Sequence, residues 1–253
     1  MSDHDRIRMF DSQGEDYKKA FQVFLDHTDQ KRNAKRWLEH VVDRLPQRNV
    51  FIDAGAGNGE VTRSFAPAFD RTIAIEPNVY LLNELRRAVP SAETIEDAIL
   101  LAKPTAKGDL VLCSHTLYYI DAHEWLDHLE RLVSWMSPAG VTIVVLQNRA
   151  TGCMAMVDHF FGHRFDLDSL VDTFRAKHGN QYEVVTTLDP AHVDTPDFDS
   201  AFIVAEFMLN LLPVTKAPAR REVEAYINRH FKLPSGDYRF PVHQDFLQVR
   251  TKR

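Results

Sequence analysis

The sequence predicts an α/β protein built on a doubly wound, seven-stranded sheet. Three observations lead there. Short apolar runs alternate with amphipathic helical stretches between residues 50 and 147. The strand candidates are apolar throughout instead of alternating, as expected for parallel strands covered on both faces. A glycine-rich turn in FIDAGAGNGE, residues 51–60, joins the first strand to a helix, the arrangement that opens a ligand crevice in such sheets.

In chain order, residues 12–45 show helical spacing through Tyr17, Phe21, Phe24, Leu25, Trp37, Leu38 and Val41, with a break at DHTDQ, 26–30. VFIDAG is a buried strand, a helix follows Gly59, and TIAIE at 72–76 is the second strand. NVYLLNELRRAV is an amphipathic helix stopped by Pro90. ETIEDA supplies a short third strand and DLVLCSH a fourth. DAHEWLDHLERLVSWMS is a helix with Asp121 as its N-cap, ended by Pro138 and Gly140, and VTIVVLQ is the fifth strand. Beyond residue 148 the pattern changes: YEVVTTLD is a sixth strand, 197–231 is helical with a break at LPVTKAP, and YRFPVHQDFLQVR is a closing strand. The whole chain, 1–253, reads as one domain: an N-terminal helical lid (1–45), a ligand-binding core (46–186 and 238–253) and a helical insertion (187–237) forming part of the substrate pocket.

Composition narrows the class. Apolar residues make up 44% and charged residues 26%, as in a globular protein. The net charge is −6 and no basic stripe is present, so nucleic acid is not expected as a partner. The N-terminus lacks the apolar core of a secretory signal and no apolar run reaches membrane-spanning length. Two cysteines, Cys113 and Cys153, form neither a disulfide framework nor a multi-cysteine zinc site. Both read as buried thiols, and the expected location is cytoplasmic.

The glycine turn selects its ligand. Gly55, Gly57 and Gly59 give G-x-G-x-G, not the dinucleotide spacing, and Glu60 stands at the helix start where a pyrophosphate would dock. No Gly-Lys-Ser/Thr follows, which excludes a phosphate loop. Glu76, at the end of the second strand, is placed to accept hydrogen bonds from ribose hydroxyls. Asp53, just before the turn, favours a cationic group, and Asp97 lies where an adenine amino group can reach. Ribose, adenine and a positive amino group without phosphate describe S-adenosylmethionine (SAM), with S-adenosylhomocysteine as the product. Asp53, Gly55, Gly57, Gly59, Glu76, Pro77, Asp97, Ser114 and His115 are the expected cofactor-binding residues.

These residues resemble motif I and its successor in class I SAM-dependent methyltransferases, and DLVLCSHTLYYI resembles the fourth-strand motif of that superfamily. More closely, the chain resembles the histamine N-methyltransferase family. YKKAFQVFLDHTDQ is similar to that family's N-terminal helix and Phe-Leu-Asn-His-Ser/Thr turn, and SHTLYYI to its Leu-Tyr-Tyr-Val run. YEVVTTLD with the following helices is similar to its strand and insertion, and RFPVHQDFLQV to its closing strand. The resemblance implies a Rossmann-like methyltransferase sheet and a small-molecule acceptor. It also marks departures: Asp29 and Gln30 stand near the family's amine-binding glutamate, His115 replaces its glutamine, and Val242 or His243 falls at its asparagine. All three substrate-facing positions thus differ from the family's.

Methyl transfer from a sulfonium is a direct displacement, so the main task is holding the acceptor in line and excluding water. A neutral amine needs little more, whereas a phenol or alcohol needs a base. His115 orients an acceptor, takes its proton, or merely caps the fourth strand. Tyr118 and Tyr119 wall the pocket and offer ring faces to a cation, or pack the loop. His243 faces the crevice or the surface, and Asp29 binds a substrate ammonium or forms the turn. His115, Tyr118 and His243 are the catalytic candidates. Tyr17, Phe21, Asp29, Gln30, Tyr118, Tyr119 and His243 are the substrate-binding ones. His123 and His128 lie five apart on a solvated helix, and no metal site is expected. HFFGHRF, 159–165, runs from helix to loop as a pocket wall. The expected activity is N-methylation of a small amine or imidazole by a monomer or homodimer not associated with a membrane. O- or C-methylation of a natural-product intermediate and a SAM-binding protein without transfer activity are the alternatives, and a protein acceptor stays open.

Overall fold

The computed structural model describes residues 5–10, 14–211 and 216–252. Two helices, α1 (Glu15–His27) and α2 (Gln30–Asp43), precede β1 (Val50–Ala54), α3 (Glu60–Phe65), β2 (Arg71–Ile75), α4 (Val79–Ala88), β3 (Glu93–Ile95) and β4 (Gly108–Ser114). Then follow α5 (Trp125–Ser134), β5 (Met136–Gln147), α6 (Gly152–Phe161), α7 (Leu167–His178), β6 (Tyr182–Asp189), β7 (His192–Thr195), α8 (Phe198–Leu209), α9 (Arg220–His230), β8 (Tyr238–Pro241) and β9 (Gln244–Thr251). The chain forms two compact units.

The sheet-bearing unit draws on Arg36–Leu146, Asp166–Thr187 and Asp245–Arg253. Its seven strands run in the order β3-β2-β1-β4-β5-β9-β6. Every residue of β1 is buried, which is why that strand reads as an unbroken apolar run around one aspartate. β1 is parallel to β2, with Ile52 beside Ile73, and to β4, with Ile52 beside Val111. The Asn148 N–H donates to the His243 carbonyl (2.9 Å), joining the residue after β5 to the residue before β9, so β9 runs antiparallel to β5. Inside this unit Trp37 of α2 stacks on Phe246 of β9, with ring centroids 4.0 Å apart.

The order reverses at β1, which is the switch point where such sheets open a crevice. β1 and β4 pair only as far as Asp53 and Leu112, although the strands continue to Ala54 and Ser114. Backbone bonds bring the following loops to that same end. The Gly55 and Ala56 N–H groups donate to the Ile75 carbonyl (2.8 and 3.0 Å), Glu76 N–H to Ile95 (3.1 Å) and His115 N–H to Val145 (2.9 Å).

The second unit draws on Met1–Lys35, Gln147–Phe165 and Leu188–Gln244, within the described residues. Its core includes one face of α1, where Tyr17, Phe21 and Phe24 surround Phe207 of α8 at centroid distances of 5.5, 5.4 and 5.3 Å. That spacing, three and four residues apart, is what makes the segment helical and one-sided. β7 and β8 form a separate antiparallel pair, with Val193 beside Phe240.

Several sequence expectations need correction. The closing segment is two strands: β8 leaves the main sheet to pair with β7, and only β9 rejoins it. Asp121 makes no side-chain cap; a short 3₁₀ turn (Ala122–Glu124) comes first and α5 starts at Trp125. His128 is buried, with Nδ1 2.8 Å from the Glu124 carbonyl, instead of lying on a solvated face. Part of the LPVTKAP break, residues 212–215, lies outside the described residues.

Candidate active site

The loop after β1 holds Gly55, Gly57 and Gly59 at φ of +75°, +56° and +84°. A side chain on Gly55 would place its Cβ 2.2 Å from Thr116 Oγ1, so only glycine fits there. At Gly57 the same atom would meet nothing within 4 Å: this position borders open space. Glu76 closes the loop from the side. It is 7% exposed, and its Oε2 accepts from the Gly57 N–H and its Oε1 from the Asn78 N–H, both at 2.9 Å. Asn78 caps α4, accepting from the Tyr80 and Leu81 N–H groups. Asp53 lies beneath, 2% exposed, with Oδ2 accepting from the Thr62 hydroxyl at 2.6 Å. Burial pushes its carboxyl up to about 7; the Thr62 bond pulls it down, and the negative charge of Glu76 adds to the rise.

On the other side of the switch point stands His115. At φ +56° it is the one non-glycine residue with positive φ among those described. Backbone strain of this kind is costly and persists only where its surroundings enforce it. Its Nδ1 lies 3.3 Å from Tyr118 Oη, and the two rings stack with centroids 5.8 Å apart. Tyr118 is buried whereas Tyr119 is 69% exposed. Cys113 and Cys153 are buried and unbridged. Burial pushes the Cys113 thiol up to about 12 and the Cys153 thiol up as well, so neither is a thiolate nucleophile at neutral pH.

A methyltransferase-domain family model matches residues 25–183, more than half of the chain. The chain belongs to this methyltransferase family. Among solved structures, the N-methyltransferase NodS from Bradyrhizobium japonicum WM9 in complex with S-adenosylhomocysteine is similar, with a TM-score of 0.57 at 12% identity, covering 95% of this chain and 100% of that one. The YcgJ protein from Bacillus subtilis is similar with a TM-score of 0.57 at 14% identity, covering 85% of this chain and 97% of that one. At such identities the likeness is one of fold. No curated protein matches the chain in sequence. The fold is the Rossmann-like sheet of class I methyltransferases, the enzyme is SAM-dependent, and SAM is its cofactor.

The residues present fit that cofactor. A carboxylate offers about four acceptor sites, and the two backbone bonds leave Glu76 capacity for a pair of ribose hydroxyls. Two carboxylates beside a floor of glycines suit a cation, and the exposed Glu60 at the first turn of α3 disfavours a phosphate. Pro77 and Asp97 are exposed past the ends of β2 and β3, and Ser114 ends β4.

In the second unit the fold brings together Asp29, Gln30 and His243, which are far apart in sequence. Asp29 Oδ1 accepts from the His192 N–H at 2.7 Å. Gln30 is 2% exposed and its Nε2 donates to the Val242 carbonyl at 2.9 Å. His243 Nδ1 lies 3.0 Å from both the N and the O of Ala191, and its ring meets that of His192 edge to face at 5.2 Å. Tyr17 and Phe21 are half-buried in the α1–α8 aromatic group. Asp121, His123 and Glu124 hold ligand-type atoms within 4.8 Å of one another at the surface.

Sequence reasoning did not single out Thr62, Asn78, Thr116 or His192. Asn78 had a signal, an Asn directly before an amphipathic run. Thr62 and Thr116 had none, because their partners lie across strand boundaries.

Proposed function

We propose that this methyltransferase moves the methyl group of SAM to a nitrogen of a small amine or imidazole. The observation that carries the acceptor side is His115, held in a strained backbone state one residue past β4, beside the glycine-floored crevice. Bound SAM supplies an electrophilic methyl group. Glu76 and the backbone of residues 55–59 hold the donor, and Asp53 complements its positive charge. His115, with Nδ1 turned to Tyr118, orients the acceptor or takes its proton. Tyr118 fixes the imidazole, and Tyr119 offers an exposed ring face to a cation. The family resemblance adds Tyr17, Phe21, Asp29, Gln30 and His243 of the second unit as acceptor-binding candidates, Asp29 for an ammonium and His243 as a second base. The resemblance to histamine N-methyltransferases supports nitrogen as the methylated atom.

A second reading, O-methylation, is favoured by the same His115–Tyr118 contact, since a histidine oriented in this way can deprotonate a phenol. Methyl-labelled SAM incubated with amines, imidazoles and phenols separates the two. Label on nitrogen is expected; label on phenol oxygens alone selects the second reading, and label on no small acceptor overturns both.

A further inference from the structure

The structure assigns to Thr116 the role of a positioning residue: its side chain grips the donor loop while its backbone carries the acceptor-side residues. Thr116 sits where β1 and β4 part, and this inference rests on the methyltransferase reading above. Its Oγ1 lies 3.4 Å from the Ala54 carbonyl oxygen, 3.5 Å from that of Gly55 and 3.3 Å from that of Ser114. Parallel strands that diverge leave such carbonyls without ladder partners, and the single Thr116 hydroxyl proton has an acceptor within reach at the end of either strand. The packing is close as well. The atoms Oγ1, Cγ2 and Cβ of Thr116 lie 2.2, 2.5 and 2.9 Å from where a Gly55 Cβ would stand. The threonine thus occupies the volume that a side chain at 55 would need, and the absent Cβ is the socket for this wedge.

Its backbone faces the other way. His115, with its positive φ, is the preceding residue, and the Thr116 carbonyl accepts from the Tyr119 N–H at 3.1 Å, opening the 3₁₀ turn Leu117–Tyr119. Any sliding of the Gly55 loop relative to β4 is therefore felt at His115, Tyr118 and Tyr119 through a single residue. In-line displacement depends on sub-ångström placement of donor against acceptor, so this wedge sets the alignment.

The test uses the full chain and three variants: T116V keeps the shape and removes the hydroxyl, T116S keeps the hydroxyl, and T116A removes both hydroxyl and wedge. Calorimetry reads the SAM dissociation constant, NMR of labelled histidine reads the His115 ring resonance (assigned with H115A), and thermal melting checks folding. T116V is expected to raise the SAM dissociation constant about fivefold and to move the His115 resonance, with T116S within about twofold of the parent. T116A is expected to do at least as much as T116V and stands in for it if T116V does not fold. A folded T116V or T116A with parental SAM affinity and an unmoved His115 resonance overturns the assignment, and so does failure of T116S to rescue. A parent chain that binds no SAM overturns the donor reading itself, which keeps the two failures apart.

Discussion

A carboxylate 2% exposed, with one threonine hydroxyl as its hydrogen-bond partner, carries a pH signature. Asp53 rises from 3.8 to about 7, mainly through burial. The unfolded chain ionises this group near pH 4, whereas the folded chain keeps its proton until about pH 7. Its contribution to stability is thus complete below the unfolded value and is lost as pH climbs to about 7. The melting temperature of the parent relative to D53N should fall between pH 4.5 and 7.5; a constant difference would contradict it. A cationic ligand favours the ionised form, so the SAM-induced rise in melting temperature should be larger at pH 7.5 than at pH 5 for the parent, with this excess absent in D53N. Glu76 gives a second prediction. In E76Q one of the N–H groups of Gly57 and Asn78 faces an amide NH₂ in place of a carboxylate oxygen. The SAM dissociation constant should rise roughly 10- to 100-fold by calorimetry, the range expected when a buried donor loses a charged acceptor. Unchanged affinity would remove Glu76 from the site.

At the scale of elements, buried pairing decides what holds. Glu206 of α8 is 1% exposed and accepts from Arg8 three times: from the backbone N–H at 2.7 Å, from Nε at 2.9 Å and from Nη2 at 2.6 Å. Asn210 adds a bond from the Phe10 N–H at 2.9 Å. R8A keeps the backbone bond but strips the charge partner from a buried carboxylate. It should cost about 1–3 kcal/mol, below the full value for a buried pair because the Arg8 side chain is half exposed. For a chain of this size that is a loss of roughly 2–10 °C in melting temperature, and no loss would contradict the pairing. Elements were legible where local pattern and tertiary role agree. β1, β2, β4 and β5 are apolar runs punctuated by Gly and Pro, and α1 shows its core face as Tyr17, Phe21 and Phe24. They were not legible where a long-range partner decides: Tyr238–Arg250 reads as one strand because Pro241 and Val242 interrupt no apolar pattern, yet β7 captures its first part.

On the scale of the whole molecule, the candidate donor residues share a local sequence pattern and the candidate acceptor residues do not, for a topological reason. Asp53, the three glycines, Glu76, Asp97 and His115 come from one stretch of the sheet-bearing unit: Asp53 is the penultimate residue of β1, and the others follow the ends of β1, β2, β3 and β4. Asp29, Gln30 and His243 are gathered in the other unit by bonds to residues 191–192 and 242, which no local pattern announces. The proposed acceptor residues are therefore an assembly of distant segments, whereas the proposed donor residues follow a motif. The central claim is that two carboxylates and a glycine floor admit a cationic, phosphate-free nucleoside. Isothermal calorimetry of the full chain against SAM and against NADH tests it most directly. Binding of SAM at one site per chain with no heat from NADH is the predicted result, and binding of NADH without binding of SAM would contradict it.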